Sequence, residues 1–185
     1  RSTGLDEERV SEALAELVER EWAGRDAAGR LTALFPFATR PTGVRVRLGD
    51  AEREAMCAID ALGVAPMLAR SVAVSSACAV CGAPLRLTVT PEGVAEAAPD
   101  GVVVIRRRTP GPAHLTRCDA TRFACSPEHG AAWLREHGGP DDLVEPLAEA
   151  FEEGQRLFGD AYRHGRCDCD CEGATAGTGD GACAG

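Results

Sequence analysis

Hydrophobic and polar positions along the chain change their period several times. Over residues 5–21, apolar side chains recur three or four positions apart, which is the spacing of an amphipathic helix. Later segments alternate between apolar and polar residues, or form short apolar runs, and Gly and Pro separate them as they separate strands. The strand-like segments are 31–37, 44–48, 72–76, 85–90 and 102–106. This order predicts an α+β fold, a small mixed or antiparallel sheet with flanking helices.

Three more helices are predicted between and after these strands. One carries Cys57 and Asp60 and ends at Gly63, because glycine is common just past a helix C-terminus. The second begins at Ser126, which is followed by proline, a pair that is typical of a helix start. The last begins at Pro146 and has an apolar stripe toward the core.

The chain of 185 residues fits one main domain with smaller parts at its ends. A helix followed by hairpin-like pieces is half of a winged-helix unit, so residues 1–43 are predicted to form a partial winged-helix-like segment and linker. Residues 44–163 form the main domain. Residues 164–185 contain mostly Gly, Ala, Thr, Asp and Cys, which predicts a flexible Cys-rich tail.

Charge and composition exclude several classes of protein. The net charge is −9 and the only basic cluster is Arg106 to Arg108, so the chain is a poor candidate for binding nucleic acid, and a metal-sensing transcriptional regulator is disfavoured. No apolar run approaches the roughly 20 residues that span a bilayer. Without an apolar signal core at its start, the protein is expected in the cytoplasm.

Nine cysteines are spread unevenly, and four of them fall in the last nineteen residues. An odd, uneven set does not resemble the disulfide framework of a small secreted protein. In a reducing compartment these side chains are thiols that are available to soft metals.

Cys57 and Asp60 lie three residues apart, so a thiol and a carboxyl project from one face of a helix. The structural alternative is a small buried thiol beside a solvated carboxylate. If the surroundings are apolar, the neutral form of Asp60 is favoured, and the two groups can exchange a proton as a coupled pair. No histidine stands at helical spacing from Cys57, which argues against a Cys/His protease.

Cys118 lies on a separate segment and is open to a structural or a functional role. Two thiolates from separate segments suit a linear soft metal such as Hg(II), with a carboxylate as a harder third contact. The turn Cys78 to Cys81 has the shape of half a zinc knuckle, but its second half would have to be Cys118 with Cys125, which are too far apart for the usual spacing. The histidines show no metal-ligand spacing and are predicted to be surface polar groups: His114, His129, His137 and His164.

Three motifs occur together in a fixed order. They are Met56-Cys57-Ala-Ile-Asp60 followed by Pro66, the strand end Val74-Ser-Ser-Ala-Cys78 with Gly82-Ala-Pro84, and Cys118 with Phe123 and Ser126 behind it. In this combination, over roughly residues 8–160, the chain resembles the organomercurial (alkylmercury) lyase family of bacterial mercury resistance. Cys81 and the Cys-rich tail are additions to the family's pattern.

The resemblance implies that residues 44–163 are a catalytic domain that cleaves the carbon–mercury bond of organomercurials by protonolysis, giving a hydrocarbon and Hg(II). By position, Cys57 and Cys118 resemble the mercury-binding thiols, Asp60 the proton donor and a harder contact to mercury, and Cys78 a structural cysteine. No cofactor is implied. External small thiols would complete turnover, and mercuric reductase would accept the Hg(II).

The tail cysteines have no apolar residues around them and do not form a packing feature. They are possible accessory mercury thiols, and a tail without a function of its own is the alternative: Cys167, Cys169, Cys171 and Cys183. For the whole chain, the rival function is a noncatalytic thiolate metal-binding protein or metallochaperone. Release of hydrocarbon from an organomercurial separates the two.

Overall fold

The computed structural model describes residue 4, residues 6–111 and residues 113–160. Within these ranges the helices are α1 (Glu7–Glu19), α2 (Ala58–Leu68), α3 (Ala113–Thr116), α4 (Pro127–His137) and α5 (Leu147–Gly154). The strands are β1 (Ala23–Arg25), β2 (Leu31–Leu34), β3 (Phe37–Ala38), β4 (Arg45–Leu48), β5 (Ala51–Glu54), β6 (Val72–Ala77), β7 (Pro84–Thr90), β8 (Gly93–Ala98), β9 (Val103–Arg106), β10 (Arg122–Ala124) and β11 (Leu143–Pro146). A 3-10 turn (Cys118–Ala120) precedes β10, and a π-helical segment (Gln155–Asp160) continues α5.

Every strand pair in the described residues is antiparallel. The largest sheet has the order β5-β4-β6-β7-β8, and two three-stranded sheets have the orders β1-β2-β3 and β10-β9-β11. The predicted α+β class with antiparallel strands is therefore confirmed. The expectation of one sheet is wrong, because the predicted strand at residues 102–106 is β9, which pairs with β10 and β11 in a separate sheet. The neighbour of β7 at the edge of the five-stranded sheet is β8.

Helix α2 lies at the centre of the domain. Its residues from Ala58 to Pro66 are all buried, and it packs between the five-stranded sheet and α5 with the π-helical segment. Apart from Asp60, the residues of this helix are apolar on every side, which explains why the sequence forms a core helix with no solvent-facing side. On the sheet, the alternation of strands β6 and β7 turns Val72, Val74, Leu85 and Leu87 inward onto it.

The prediction that this helix ends at Gly63 is wrong. The helix continues to Leu68 and ends where Ala69 adopts the left-handed conformation, with φ of 51°. Gly63 instead lets α2 approach α5 closely, since a Cβ atom there would lie 2.8 Å from the carbonyl oxygen of Gly154 and would also overlap the ring of Phe158.

Replacing Gly63 with alanine is expected to destabilise the protein by about 1–3 kcal/mol, because the backbone of Gly154 cannot move away as a flexible side chain would. Urea unfolding monitored by circular dichroism measures the change. Gly93→Ala is the matched control, since a Cβ atom at Gly93 meets nothing within 4 Å. Equal stability of the two variants would contradict the close approach.

Other boundaries agree with the sequence in part. Ser126 caps α4 as predicted, and its hydroxyl accepts a hydrogen bond from the N–H of His129. Pro146 is the last residue of β11 and the cap of α5, so the last helix begins one residue later than predicted. None of the helices in the described part of the chain has the length and apolar character to cross a membrane.

The amino-terminal segment forms a helix and a small sheet, α1 followed by β1, β2 and β3. The ring of Trp22, which follows α1, packs edge to face against Phe158, with centroids 5.8 Å apart. The boundary at residue 43 and the winged-helix comparison stay predictions.

Candidate active site

Cys57 and Asp60 occupy two special positions at the start of α2. Cys57 is the N-cap residue, in extended conformation, and its side chain makes no capping hydrogen bond. The sequence predicted that Cys57 lies within the helix, whereas the structure places it immediately before the first helical residue. Asp60 is the third residue of the helix, the position where a carboxyl reaches back toward the cap. The unused thiol and the carboxyl consequently face the same region, and both are buried, at 6% and 4% exposure.

Cys118 reaches this region from the 3-10 turn before β10. The turn is held by Thr121, whose N–H donates to the carbonyl of Arg117 over 3.0 Å. The carbonyl of Thr121 in turn accepts the N–H of Ala58, the first residue of α2, over 3.4 Å. This backbone contact joins the Cys118 segment to the start of the helix.

The three side chains meet in one buried cluster. The Cys118 thiol donates to Oδ2 of Asp60 with the two atoms 3.8 Å apart, and the ligand atoms of Cys57, Asp60 and Cys118 lie within 4.8 Å of one another. Cys118 is 6% exposed. The structure therefore brings together the three residues that the sequence singled out. Two sulfurs and one oxygen at this separation are suited to a soft metal with low coordination number.

Burial controls the protonation of the cluster. It raises the pKa of Asp60 to about 7. Hydrogen bonds from the thiols of Cys57 and Cys118 and from nearby backbone N–H groups act in the opposite direction, because they favour the ionised carboxylate. Burial also raises the pKa of the Cys57 thiol well above its ordinary value, and Cys118 and Asp60 add to that shift. Near neutral pH the carboxyl is thus the group of this pair that exchanges a proton readily.

Two cavities meet at the cluster. One, of about 580 Å³, is lined by Cys57, Asp60 and Cys118 and by the apolar side chains of Phe35 and Leu157. The other, of about 430 Å³, also reaches Cys57 and Cys118, from the side of Pro41 and Ser76. A larger concavity, of about 760 Å³, lies on the outer face of the five-stranded sheet and has no cysteine in its lining. We place the candidate active site at the first two cavities, because they contain the reactive side chains, whereas the largest concavity does not.

The basic cluster seen in the sequence lines the first cavity but is mostly paired within the fold. Arg106 donates hydrogen bonds to the carboxylates of Glu145 and Glu153 over 2.9 and 2.6 Å, and Arg107 forms an ion pair with Asp142 at 2.8 Å. These side chains support the wall of the site by joining β9 to β11 and α5.

A second cluster shares no residue with the first, although its member Cys78 lines the smaller cavity. It corrects the predicted surface position of His129 and the predicted pairing of Cys118 with Cys125. His129, predicted as a surface polar group, is half-buried, and its Nδ1 lies 3.0 Å from Sγ of Cys125 and 3.5 Å from Sγ of Cys78. The fourth member is Cys81, whose Sγ lies 3.8 Å from that of Cys125. Cys118 is not part of this cluster. The sequence signal that could have found it is the spacing of Cys125 and His129, four residues apart across a helix start.

The thiols of this second cluster have different proton affinities. Burial raises the pKa of Cys78, but the N–H groups of Cys81, Cys125 and Val80, together with His129, outweigh it and lower that pKa to about 6. Burial raises the pKa of Cys125 to about 11, and the neighbouring thiols of Cys78 and Cys81 contribute. Cys78 is therefore held as a thiolate near neutral pH.

The predicted accessory thiols of the tail lie outside the described residues, and so does His164. Their part in mercury binding stays a prediction. The residues concerned are Cys167, Cys169, Cys171 and Cys183.

The α+β domain buries two thiols and a carboxyl where two cavities meet, and this set of groups suits a protein that binds a soft metal through sulfur. The family model for alkylmercury lyase (MerB) matches residues 37–159. The chain belongs to the alkylmercury lyase family.

Individual relatives agree with the family model. An alkylmercury lyase of Streptomyces lividans is 32% identical over 158 residues, covering 84% of this chain and 71% of the relative. That of Staphylococcus epidermidis is 32% identical over 160 residues, covering 84% and 70%. That of Bacillus cereus is 31% identical over 170 residues, covering 89% and 73%. Among solved structures, the mercury-bound form of MerB2 superposes with a TM-score of 0.68 at 26% identity, covering 87% of this chain and 79% of that one.

Proposed function

We propose that this chain is an alkylmercury lyase in which Cys57, Cys118 and Asp60 cleave the carbon–mercury bond of an organomercurial by protonolysis. The observation that carries the proposal is the hydrogen bond from the Cys118 thiol to Oδ2 of Asp60, 3.8 Å long, within 4.8 Å of the Cys57 sulfur. The site thus offers two sulfur ligands for mercury and one carboxyl that takes a proton from a thiol and passes it to the carbon.

Capture of the substrate begins with the ionised form of Asp60. The carboxylate accepts the proton of a cluster thiol, which Cys118 already donates to it, and the resulting thiolate displaces the ligand X from R–Hg–X. A sulfur–mercury bond forms, a mercury–X bond breaks, and the proton stays on Asp60. Burial favours this outcome, because it raises the pKa of the carboxyl to about 7.

Cleavage follows when the second thiol binds. Electron donation from a second sulfur weakens the carbon–mercury bond, and Asp60 delivers its proton to the carbon. The second thiol bonds mercury and gives its own proton to the vacated carboxylate, which passes it through solvent to the released X. The balance is one R–Hg–X and two thiols giving R–H, HX and Hg(II) bound to Cys57 and Cys118. No electrons are transferred to or from an external group, so the step calls for no organic cofactor.

Release needs an exchange of thiols. Two external small thiols displace Hg(II) from Cys57 and Cys118 and restore both protein thiols, which completes the balance. We propose mercuric reductase as the acceptor of that Hg(II), and the cytoplasm as the compartment, because the cycle requires cysteines that stay reduced.

The direct test is detection of methane or benzene in the headspace over methylmercury or phenylmercury, with excess small thiol. Catalytic release, at many hydrocarbon molecules per chain, is the expected result. Binding of the organomercurial without hydrocarbon release would favour the alternative, a noncatalytic thiolate metal-binding protein or metallochaperone.

The dependence of the rate on pH follows from Asp60. Since capture needs the carboxylate and its pKa is raised to about 7, kcat/KM is expected to rise with pH by about tenfold per unit below 7 and to level off above it. Initial rates at subsaturating phenylmercury between pH 5 and 8 measure the profile. The small thiol in the assay also ionises over this pH range. The profile of Asp60→Asn, measured with the same thiol, shows how much of the pH dependence comes from that thiol. A parent profile parallel to that of the variant would remove Asp60 from the capture step.

A further inference from the structure

The second cluster joins four potential metal ligands from two distant segments of the chain. Cys78 and Cys81 belong to the turn between β6 and β7, whereas Cys125 and His129 stand at the start of α4. Their ligand atoms all lie within 4.8 Å of one another. We propose that Cys78, Cys81, Cys125 and His129 form a structural, tetrahedral zinc site that shares no residue with the cluster of Cys57, Asp60 and Cys118.

The distances between the side chains match a tetrahedral ion. With Zn–S bonds of about 2.3 Å and a Zn–N bond of about 2.0–2.1 Å, tetrahedral angles place two sulfurs about 3.8 Å apart and a sulfur about 3.5 Å from the nitrogen. The Cys81 and Cys125 sulfurs are 3.8 Å apart, and the Cys78 sulfur is 3.5 Å from Nδ1 of His129. The separation of Cys125 and His129, at 3.0 Å, needs to widen by about half an ångström.

The backbone of the first segment is shaped as a metal-binding turn. In the run Cys-Ala-Val-Cys-Gly, Gly82 has φ of 72° and its N–H donates to the carbonyl of Cys78 over 2.9 Å. The sulfur of Cys78 also accepts the N–H of Cys125 over 3.3 Å. Backbone N–H groups directed at a ligand sulfur stabilise the thiolate form and fix its orientation, as outer groups do around metal centres.

The second segment presents its ligands from a capped helix. Cys125 precedes the cap residue Ser126, and His129 lies in the first turn of α4, where its N–H donates to the Ser126 hydroxyl. The spacing Cys-x3-His agrees with the ligand spacing of closed structural zinc sites, as Cys-x2-Cys does in the first segment.

A disulfide does not describe this cluster. The sulfurs of Cys81 and Cys125 are 3.8 Å apart, far beyond the roughly 2.05 Å of a sulfur–sulfur bond. Three thiols with one imidazole form a ligand set typical of zinc. Cys81 is exposed, so an ion has a path from solvent to the ligands.

The site would hold the Cys118 segment in place. The N–H of Ala79, between the two cysteines of the turn, donates to the carbonyl of Phe123 in β10 over 3.0 Å. The same strand begins four residues after Cys118 and ends next to Cys125. Zinc would therefore fix β10 against the end of β6, and with it the approach of Cys118 to α2.

The test uses all 185 residues, with the four tail cysteines replaced by serine so that the remaining cysteines are those of the two clusters. Expression with zinc in the medium and elemental analysis after gel filtration should give one zinc per chain. The matched variants in this background are Cys81→Ser, His129→Gln and Cys57→Ser. The first two should lose zinc, whereas Cys57→Ser should keep it, because Cys57 belongs to the other cluster.

Co(II) substitution provides a readout that does not depend on catalysis. The parent and Cys57→Ser should show the charge-transfer bands of tetrahedral cobalt–thiolate, and Cys81→Ser and His129→Gln should lose or shift them. Zinc that is retained in both cluster variants, zinc lost in Cys57→Ser, or a parent that lacks zinc and has the mass of a Cys81–Cys125 disulfide would each overturn the proposal.

Discussion

Replacing Cys118 with serine is expected to abolish turnover of organomercurials while the fold remains intact. A hydroxyl is a hard and protonated ligand that binds mercury weakly, so the state with two sulfur ligands cannot form. The change is small in volume and leaves the backbone contact between Thr121 and Ala58 in place. Headspace hydrocarbon release measures the loss, and thermal unfolding checks the fold.

Cys57→Ser is the companion variant, because the proposal gives both sulfurs a place on the same ion. The two single variants and the double variant should have the same residual rate, since removing either ligand removes the same intermediate. Near-normal release from Cys118→Ser would take Cys118 out of the site.

Replacing Asp60 with asparagine is expected to lower hydrocarbon release by about two orders of magnitude or more, the range in which general acid–base catalysis contributes. The amide keeps the shape of the side chain but cannot carry the proton. The variant should still capture the organomercurial on Cys57 or Cys118, but more slowly than the parent, because the thiol must lose its proton to solvent instead of to Asp60. After long incubation the captured species is visible as an added mass in native mass spectrometry. Release at the parent rate would show that water or another residue protonates the carbon.

The control for this variant is Asp50→Asn, in the turn between β4 and β5. Asp50 is exposed and lines neither of the two cavities at the cluster, so this variant should retain the parent rate. Stability provides a second control. Because the pKa of Asp60 rises from 3.8 to about 7 on folding, the parent loses stability as pH rises between these values, whereas Asp60→Asn does not. The variant should thus be at least as stable as the parent at pH 8.

The sequence predicted the fold class and the helices with strong signals but not the division into sheets. Residues 93–98 contain three alanines and a single β-branched residue, Val94, so the strand signal of β8 is weak, and the strand forms because β7 supplies an edge to pair with. Strand β11 is short and ends in proline, so its local signal is weak too, and it forms through pairing with β9. Both depend on neighbours that local pattern does not reveal.

The sequence predicted those parts of the candidate site that depend on residues close together in the chain, and not those that depend on tertiary contacts. Cys57 and Asp60 follow from their spacing, although Cys57 caps the helix instead of lying within it. The residues alone left Cys118 open between a structural and a functional role, and the family resemblance supplied its role. Local pattern could not do so, because the contact of Thr121 with Ala58 that brings Cys118 to α2 is a tertiary one. His129 was missed for the same reason, since its partners Cys78 and Cys81 lie about fifty residues away in the sequence.

The N-cap position of Cys57 has an evolutionary consequence. Serine, threonine, aspartate or asparagine at an N-cap stabilises a helix by about 0.5–2 kcal/mol over a residue that makes no such bond, and the Cys57 thiol makes none. Under the proposed mechanism, selection for a more stable core helix and selection for mercury chemistry therefore favour different residues at this one position. A lineage released from mercury exposure would then gain helix stability through the same substitution that removes the proposed mercury ligand.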